Sequence, residues 1–467
     1  MSELQEQLQI LRARMARIDS KYRSLSPGPS PDPRSPGDAE LPGRTAQRYI
    51  EEWLTGAEIE TSFGRHFETE KLYERHRRHG SADIGDMQDL PHDLLDAVSG
   101  GTVPAASPTE WAFLDTETTG LAGGTGTCAF LVGVGRITAE GFRVRQFFMR
   151  DYAEEASLLD SLTRHLAEFR VLITYNGRTF DQPLLETRYR MNRARPPFGR
   201  MEHLDLLHGA RRLWKLRFES CRLVDLEQQI LGVDRDGDVP GALIPYLYFE
   251  YLRTRRAARL LPVFQHNATD ILTLACLTAI VPQAFRDPQQ SCPESPLRHG
   301  AELVGLGRWL LQAGELERAR TLFRRAVDAG LSDDLLFRTL WDVAAIERKL
   351  DQDETALAVW SDLASGRNPY RFRALEQIAK HWEHRAKDPA KALETVREAL
   401  ALAGASPGVS IGEARPAELS KEDAAAWRRR EARLMSRVRN RTAGKRTLRG
   451  PSRSTSRSAS QNKPRLL

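Results

Sequence analysis

Two carboxylates directly follow an apolar run in the stretch WAFLDTETTGL, residues 111 to 121. Residues two apart on a strand lie on the same face, so Asp115 and Glu117 are predicted to stand side by side and to repel each other. A bound cation would relieve that repulsion. Taken singly, each acid also has a structural interpretation, because an acid at a strand end can pair with an arginine.

Two later stretches carry more acids. Asp181 opens a predicted helix directly after the short apolar strand of VLITYNG, and His266 and Asp270 lie four residues apart in HNATDILTL. That spacing places His266 and Asp270 on one face of a helix. A helix cap is the alternative interpretation for Asp181 and for His266. The ordered set is more specific than its members: Asp-x-Glu on a first strand, Phe-Asp after Tyr-Asn-Gly, then His-x-x-x-Asp on a late helix.

Four stretches in this order carry a resemblance to a known family: FLDTETTGLAGGTGTCAFLVGVG, YNGRTFDQPLLETR, GDVPGALIPYLYFEYLRT and HNATDILTL. They resemble the motifs of the DEDD 3′-to-5′ exonucleases of the ribonuclease H-like superfamily, and more narrowly the YprB-type ribonuclease H-like proteins. The resemblance covers roughly residues 60 to 285. It implies a metal-dependent exonuclease that hydrolyses phosphodiester bonds of single-stranded RNA or DNA, and such proteins can carry tetratricopeptide (TPR)-like repeats towards the C terminus.

The resemblance also implies roles for the motif residues. Asp115 would bridge two metal ions, Glu117 and Asp270 would hold the ion that carries the attacking water, and Asp181 would support the second ion. Two divalent cations about 3.5–4 Å apart stabilise the attacking and leaving oxygens of a phosphodiester, and hard oxygen ligands suit Mg²⁺ or Mn²⁺. His266 would be the general base. Its position departs from the family pattern, because a histidine here occupies the spacing of the tyrosine-type enzymes.

Weaker candidates for substrate contacts lie beside the motifs: Arg178, Asn176 and Thr118. Arg178 precedes Asp181 by three residues and is predicted either to contact a phosphate or to remain solvated. The stretch GGTGT at residues 123 to 127 lacks the Gly-Lys-Ser/Thr of a phosphate-binding loop, so it predicts a hairpin turn.

Three further residue sets favour structural interpretations. Asp205 is predicted to be a helix cap rather than a metal ligand. Trp214 and the aromatic residues from Tyr246 to Tyr251 offer aromatic surface near the motifs, although such spacing is typical of a core. The four cysteines show no close pairing, which argues against a disulfide framework and a cysteine zinc site. They are Cys128, Cys221, Cys276 and Cys292.

Composition and charge set the class of protein. The chain has 467 residues, of which 40% are hydrophobic and 28% are charged. Such a length and composition predict two or three soluble globular domains. No uninterrupted apolar run approaches the roughly 18 residues of a membrane span, and the first residues lack a signal peptide's apolar block, so we expect a cytoplasmic protein without membrane contact. The net charge is +6, and residues 436 to 467 contain 10 Lys or Arg and no acid, so the remainder carries 6 − 10 = −4.

The sequence pattern divides the chain into six segments. The central one is predicted to be an α/β ribonuclease H-like domain, a mixed sheet with flanking helices, because a strand meander is followed by alternating strands and helices. An all-α region of TPR-like helical repeats follows it. The segments are an amphipathic or coiled-coil helix (1–25), a Pro-rich linker (26–43), a lead-in that packs on the nuclease domain (44–107), that domain (108–285), the repeats (297–435) and a basic disordered tail (436–467).

The repeat prediction depends on three helices with apolar residues at offsets of zero, four and seven. The units are 37 and 36 residues apart, close to the TPR period of about 34, and a generic helical bundle is the alternative. The positions are Ala319, Phe323 and Ala326; Ala356, Trp360 and Leu363; and Ala392, Val396 and Ala399.

Both ends of the chain suggest interactions. The N-terminal heptads and the repeats predict a protein partner, although the N-terminal helix could equally lie frayed on its own domain. The basic tail would attract phosphate backbones, or serve only as a solubilising end. A second functional hypothesis therefore stays open: a catalytically silent nucleic-acid-binding or TPR scaffold protein.

Overall fold

A computed structural model describes residues 49–99, 101–120, 126–286, 297, 299–404 and 421–447. The chain forms two compact units, Met1–Leu322 and Phe323–Leu467. This division falls within a helix, well beyond the change of pattern at Pro296. The predicted N-terminal helix and Pro-rich linker lie outside the described residues, as does most of the glycine-rich turn.

The first unit contains a seven-stranded mixed sheet in the order β1-β2-β7-β6-β5-β8-β9 and a separate two-stranded ribbon of β3 and β4. β5 pairs antiparallel with β6 and parallel with β8, and β8 is parallel to β9. The strands are β1 (Gly56–Thr61), β2 (Gly64–Glu74), β3 (Arg78–His79), β4 (Ala82–Asp83), β5 (Trp111–Thr118), β6 (Ala129–Thr138), β7 (Gly141–Phe148), β8 (Val171–Thr174) and β9 (Glu202–Asp205).

Helices of the first unit cover the sheet. They are α1 (Leu94–Ser99), α2 (Glu155–Leu166), α3 (Asp181–Met191), α4 (Leu206–Trp214), α5 (Leu223–Leu226, continued by a π-helical turn at Glu227–Leu231), α6 (Ile244–Thr254), α7 (Leu261–Arg286) and α8 (Gly300–Gln312). α9 (Leu316–Asp328) spans the division between the units. The predicted mixed sheet with flanking helices is confirmed.

β5 is an interior strand of the sheet, between β6 and β8, and its apolar sequence fits that position. Nearly all of its residues are buried, as expected of a strand that is covered on both faces. β1 and β2 were not predicted, because the segment 44–107 could be placed only as a lead-in. β2 is charged and largely exposed in its second half, which hides its strand period, yet it pairs with β7 along residues 67–74.

The long helix α7 crosses the face of β5 and β6, and two glycines permit its close approach. A Cβ atom at Gly133 would collide with Asn267 and Ile271, and one at Gly135 would collide with Ile271. The two glycines of the VGVG stretch of β6 therefore allow α7 to pack directly against the backbone of this strand. By length and composition α7 could span a membrane, but 72% of its most apolar window is buried inside the protein, as in the core helix of a folded domain.

The second unit is helical. Each of its helices contacts the next, and all nine residues of the repeat prediction are at most 2% exposed. The helices are α10 (Asp333–Lys349), α11 (Asp353–Ser365), α12 (Arg371–Lys380, continued by a π-helical turn at His381–Arg385), α13 (Pro389–Gly404) and α14 (Lys421–Thr447). This region is mostly helical, as predicted, and the TPR assignment stays a prediction.

α14 packs along α13 and also forms ion pairs with the π-helical turn that follows α12. Leu434 of α14 is fully buried, and the buried carboxylate of Glu383 accepts hydrogen bonds from Arg433 and Arg437 at 2.9 Å. The predicted disordered tail begins at residue 436, whereas residues 436–447 continue this helix. The rest of the tail lies outside the described residues.

Candidate active site

β5 carries the first two acids opposite residues of its antiparallel neighbour β6. Asp115 pairs with Gly133 and Glu117 pairs with Leu131 in the antiparallel register. The missing side chain at Gly133 leaves room above Asp115 that α7 fills. A bulge between Glu117 and Thr118 then ends the regular pairing, so both carboxylates lie near the end of the strand.

α7 brings three polar residues onto this face. Asn267 is fully buried, and its Nδ2 donates to a carboxylate oxygen of Asp115 at 2.9 Å. The side-chain oxygen of Asn267 accepts a hydrogen bond from Gln146 on β7 at 2.9 Å, which fixes the amide orientation. His266 and Asp270 lie on the same helix, with 3.6 Å between Nε2 of His266 and a carboxylate oxygen of Asp270.

Asp181 reaches the site from the turn after β8. Asn176 has a φ of 68°, a left-handed conformation that asparagine adopts more readily than most residues. The backbone amides of Asn176 and Arg178 donate to the carboxylate of Asp205, which also caps α4, as predicted. This fixed turn starts α3 at Asp181, whose carboxylate accepts a hydrogen bond of 2.5 Å from Thr116.

Burial and neighbouring charges raise the pKa of Asp115, Glu117 and Asp181. Burial and the charges of Asp270, Glu117 and Asp181 raise the pKa of Asp115 well above its usual value. Burial raises the pKa of Glu117 to about 8 despite the opposing charge of His266, with Asp270 and Asp181 adding to the rise. Burial also raises the pKa of Asp181 to about 6 against its hydrogen bond with Thr116. The four sequence-predicted acids thus share one electrostatic site that favours the entry of positive charge.

Arg235 supplies positive charge at one side of the site. Its guanidinium lies 2.5 Å from a carboxylate oxygen of Asp270 and 3.3 Å from Asp238. It also forms an ion pair with Glu227, which is fully buried and contacts His79 at 3.0 Å. Only 8% of the Arg235 side chain is exposed, so this guanidinium is a fixed part of the site.

Asp238 orients His266. Both carboxylate oxygens of Asp238 lie 2.8–2.9 Å from Nδ1 of His266, which directs Nε2 towards Asp270. Burial alone would lower the pKa of His266, but the hydrogen bond with Asp238 and the charges of Asp270 and Glu117 raise it to about 9. These contacts favour the protonated imidazole.

The donor set suits hard divalent cations, because all four acids offer carboxylate oxygens. In the part of the chain that the structure describes, no three His, Cys, Asp or Glu side chains are arranged to hold one ion together. The contacts explain this: Asp270 faces Arg235, and Asp115 accepts from Asn267. The donor chemistry fits a metal site, and an ion bound by Asp270 would require the guanidinium of Arg235 to move away from that carboxylate.

The three weaker candidates are engaged elsewhere. The guanidinium of Arg178 donates to the carbonyl oxygen of His203, and the side-chain oxygen of Asn176 accepts from Thr179 at 2.8 Å. The hydroxyl of Thr118 donates to the carbonyl oxygen of Gly120 at 2.8 Å. Their proposed contacts with substrate stay predictions.

A cleft of about 940 Å³ opens beside His266, and the loop between α5 and α6 lines it. This loop carries Arg235 and Asp238, which the sequence interpretation missed as site residues. The one available signal for Asp238 was its place in the family-like stretch GDVPGALIPY. Arg235 has no motif spacing that could have identified it, and Asn267 was noted only as part of HNATDILTL.

Comparison with known proteins agrees with this geometry. Residues 112–281 match the RNase_H superfamily. The chain is 32% identical over 293 residues to a Bacillus subtilis protein named "Uncharacterized protein YprB", covering 62% of this chain and 68% of that protein. Membership of this superfamily indicates a nuclease-type function, implies nucleic-acid binding and is generally associated with divalent metals. The chain belongs to the ribonuclease H superfamily, in the family of the Bacillus subtilis protein YprB.

Proposed function

We propose that the protein is a 3′-to-5′ exonuclease that acts on single-stranded RNA or DNA with two Mg²⁺ or Mn²⁺ ions. The observation that carries the proposal is the convergence of Asp115, Glu117, Asp181 and Asp270, whose carboxylates are buried or half-buried and repel one another. Mutual repulsion of buried acids is costly unless cations compensate it. The proposal includes a cytoplasmic location and a protein partner for the helical repeats.

The four acids would hold the metal ions, with the roles that the family resemblance gives them. When bound, such ions stabilise charge on the phosphate and lower the pKa of a bound water. Asn267 holds one oxygen of Asp115, and the hydroxyl of Thr116 holds one oxygen of Asp181. These two hydrogen bonds fix the orientation of the carboxylates. Each of them leaves the remaining lone pairs of the carboxylate oxygens available for a ligand.

His266 is placed to accept a proton at Nε2. Asp238 fixes Nδ1 and so sets the ring orientation, as a carboxylate does for many catalytic histidines. A protonated imidazole cannot act as a base. Positive charge at Asp270 and Glu117 would offset two of the interactions that raise the pKa of His266 and so favour a free Nε2, while the hydrogen bond with Asp238 remains.

The test is degradation of single-stranded RNA and DNA, labelled at the 3′ or the 5′ end, with Mg²⁺, Mn²⁺ or EDTA. We expect metal-dependent shortening from the 3′ end, reduced by at least about a thousandfold in an Asp115→Asn/Asp270→Asn variant. Asp89→Asn/Asp93→Asn, which neutralises two exposed acids that have no part in the site, is the matched control and should retain activity. Equal activity of the wild type and the double variant would overturn the proposal.

A specific observation favours the second candidate, a catalytically silent nucleic-acid-binding or scaffold protein. Arg235 contacts Asp270 where the family resemblance places a metal ion. If that contact is permanent, the acids serve as a structural ion-pair cluster. Mn²⁺ titration separates the candidates: the silent protein gives no Mn²⁺-dependent rise in melting temperature, whereas the nuclease gives a rise that Asp115→Asn abolishes.

A further inference from the structure

α6 has two different aromatic faces. Tyr248 and Tyr251 are buried, and the ring of Tyr248 stacks on Phe130 of β6 at a centroid distance of 3.9 Å. Tyr246 and Phe249 point away from the core and are 51% and 47% exposed. The aromatic spacing that is typical of a core therefore accounts for only half of these rings.

Two arginines follow the exposed rings along the chain. Tyr246, Phe249 and Arg253 follow the three- and four-residue spacing of one helix face, and Arg256 comes just after the helix ends at Thr254. Within the described residues, Arg253 and Arg256 have no acidic partner. Their neighbours differ, since Arg255 pairs with Asp151 at 2.5 Å and Arg259 pairs with Glu250 at 3.0 Å. We call Tyr246, Phe249, Arg253 and Arg256 the α6 stripe.

The α6 stripe begins beside the candidate active site. Gly241 and Ala242 line the same cleft as His266. Tyr246 comes about one helical turn after Ala242, in the first turn of α6. α6 also contacts β5, the strand of Asp115 and Glu117. A nucleic-acid strand lying on the α6 stripe would thus have one end at the cleft.

We propose that the α6 stripe is a binding track for single-stranded nucleic acid, on which bases stack on Tyr246 and Phe249 while Arg253 and Arg256 contact phosphates. Aromatic rings interleaved with unpaired arginines match the alternating bases and phosphates of a single strand, and stacking accepts any base. Duplex bases are already stacked on one another and cannot use the rings. The inference deepens the proposed function and rests on it, because it names how the substrate approaches the site.

The experiment measures binding of the full chain, in EDTA, to a single-stranded oligonucleotide that contains 2-aminopurine, as RNA and as DNA. Stacking quenches 2-aminopurine, whereas attraction to the basic tail alone does not. Tyr246→Ser/Phe249→Ser tests the rings, with Phe63→Ser, which is 60% exposed in the β1–β2 turn, as the control. Arg253→Gln/Arg256→Gln tests the charges, with the exposed pair Arg195→Gln/Arg200→Gln as the control.

We expect the ring variant to lose the quenching and at least about fivefold in affinity for single strands. The arginine variant should lower the slope of log affinity against log salt by about 1.4, or about 0.7 for each phosphate contact. The controls should bind like the wild type. A fall in affinity no larger than that of the controls would overturn the track and leave the α6 stripe as a surface for a protein partner.

Because EDTA prevents metal-dependent cleavage, this binding test is separate from the test of activity. Stripe-dependent binding without metal-dependent cleavage would contradict the nuclease and leave the track intact. Cleavage that is unchanged in the ring and arginine variants, together with unchanged binding, would contradict the track and leave the nuclease intact.

Discussion

The guanidinium of Arg235 lies 2.5 Å from the carboxylate of Asp270, within a site whose other acids carry raised pKa values. Glu227 anchors Arg235 from the opposite side. An arginine held in this way neutralises Asp270 without any metal ion. Metal binding must then compete with a charge that the protein already supplies.

Arg235→Gln is therefore expected to tighten Mn²⁺ binding by roughly tenfold or more, because a neutral side chain no longer offsets the charge of Asp270. Isothermal titration calorimetry with Mn²⁺ measures the change. Glu227→Gln/Arg235→Gln keeps the net charge of the buried pair unchanged and checks that the effect does not come from an uncompensated Glu227. Unchanged or weaker Mn²⁺ binding in both folded variants would contradict this competition.

Asp238→Asn should lower the pKa of His266 from about 9, because the hydrogen bond to an ionised partner is lost. We expect kcat to fall by roughly 10- to 100-fold, as it does when the group that orients a functional histidine is removed. An NMR titration of the imidazole in EDTA reports the pKa separately from activity. A His266 pKa that stays near 9 in the variant would show that Asp238 does not set it.

Gly133→Ala should separate α7 from β5. The added methyl group would collide with Asn267 and Ile271, at a cost of roughly 1–3 kcal/mol in the free energy of unfolding. Nuclease activity should fall by more than the loss of folded protein accounts for, because Asn267 holds the carboxylate of Asp115. Urea denaturation and nuclease assays measure the two effects. Gly199→Ala is the control, since nothing lies within 4 Å of a Cβ atom there, and equal behaviour of the two variants would refute the close approach.

His165 makes the fold sensitive to acid. It lies between Phe147 and Phe169, where burial and the charge of Arg145 lower its pKa to about 4. The unfolded state binds the proton at a higher pH than the folded state, so stability is complete above about pH 6.5 and falls towards pH 4.

His165→Phe should remove this loss. We expect the variant to gain about 2 kcal/mol over the wild type near pH 4.5 and less near pH 7.5, because the phenyl ring takes up no proton on unfolding. Urea denaturation at the two pH values gives both numbers. A gain of the same size at both pH values would show that the effect comes from packing rather than from protonation of His165.

The sequence predicted the four acids because their ligand chemistry restricts residue type and spacing. It also predicted β5, α3 and the mixed sheet, whose apolar periods are clear. Arg235 and Asp238 lie in a loop between α5 and α6, where no period constrains a residue and contacts arise only from the fold. β1 and β2 were missed for a related reason: the edge strand β1 and the second half of its neighbour β2 are largely exposed and charged, so their sequence resembles a loop.

The salt links from Arg433 and Arg437 to Glu383 have a consequence for the assembly state of the protein. A row of helices in which each packs on the next leaves an apolar face at its end, which can join the same face of another copy unless a polar helix covers it. α14 covers α13 and carries a strongly basic outer surface. A chain cut after residue 404 would lose this seal, and its bare end would favour polymerisation by end-to-end stacking of copies.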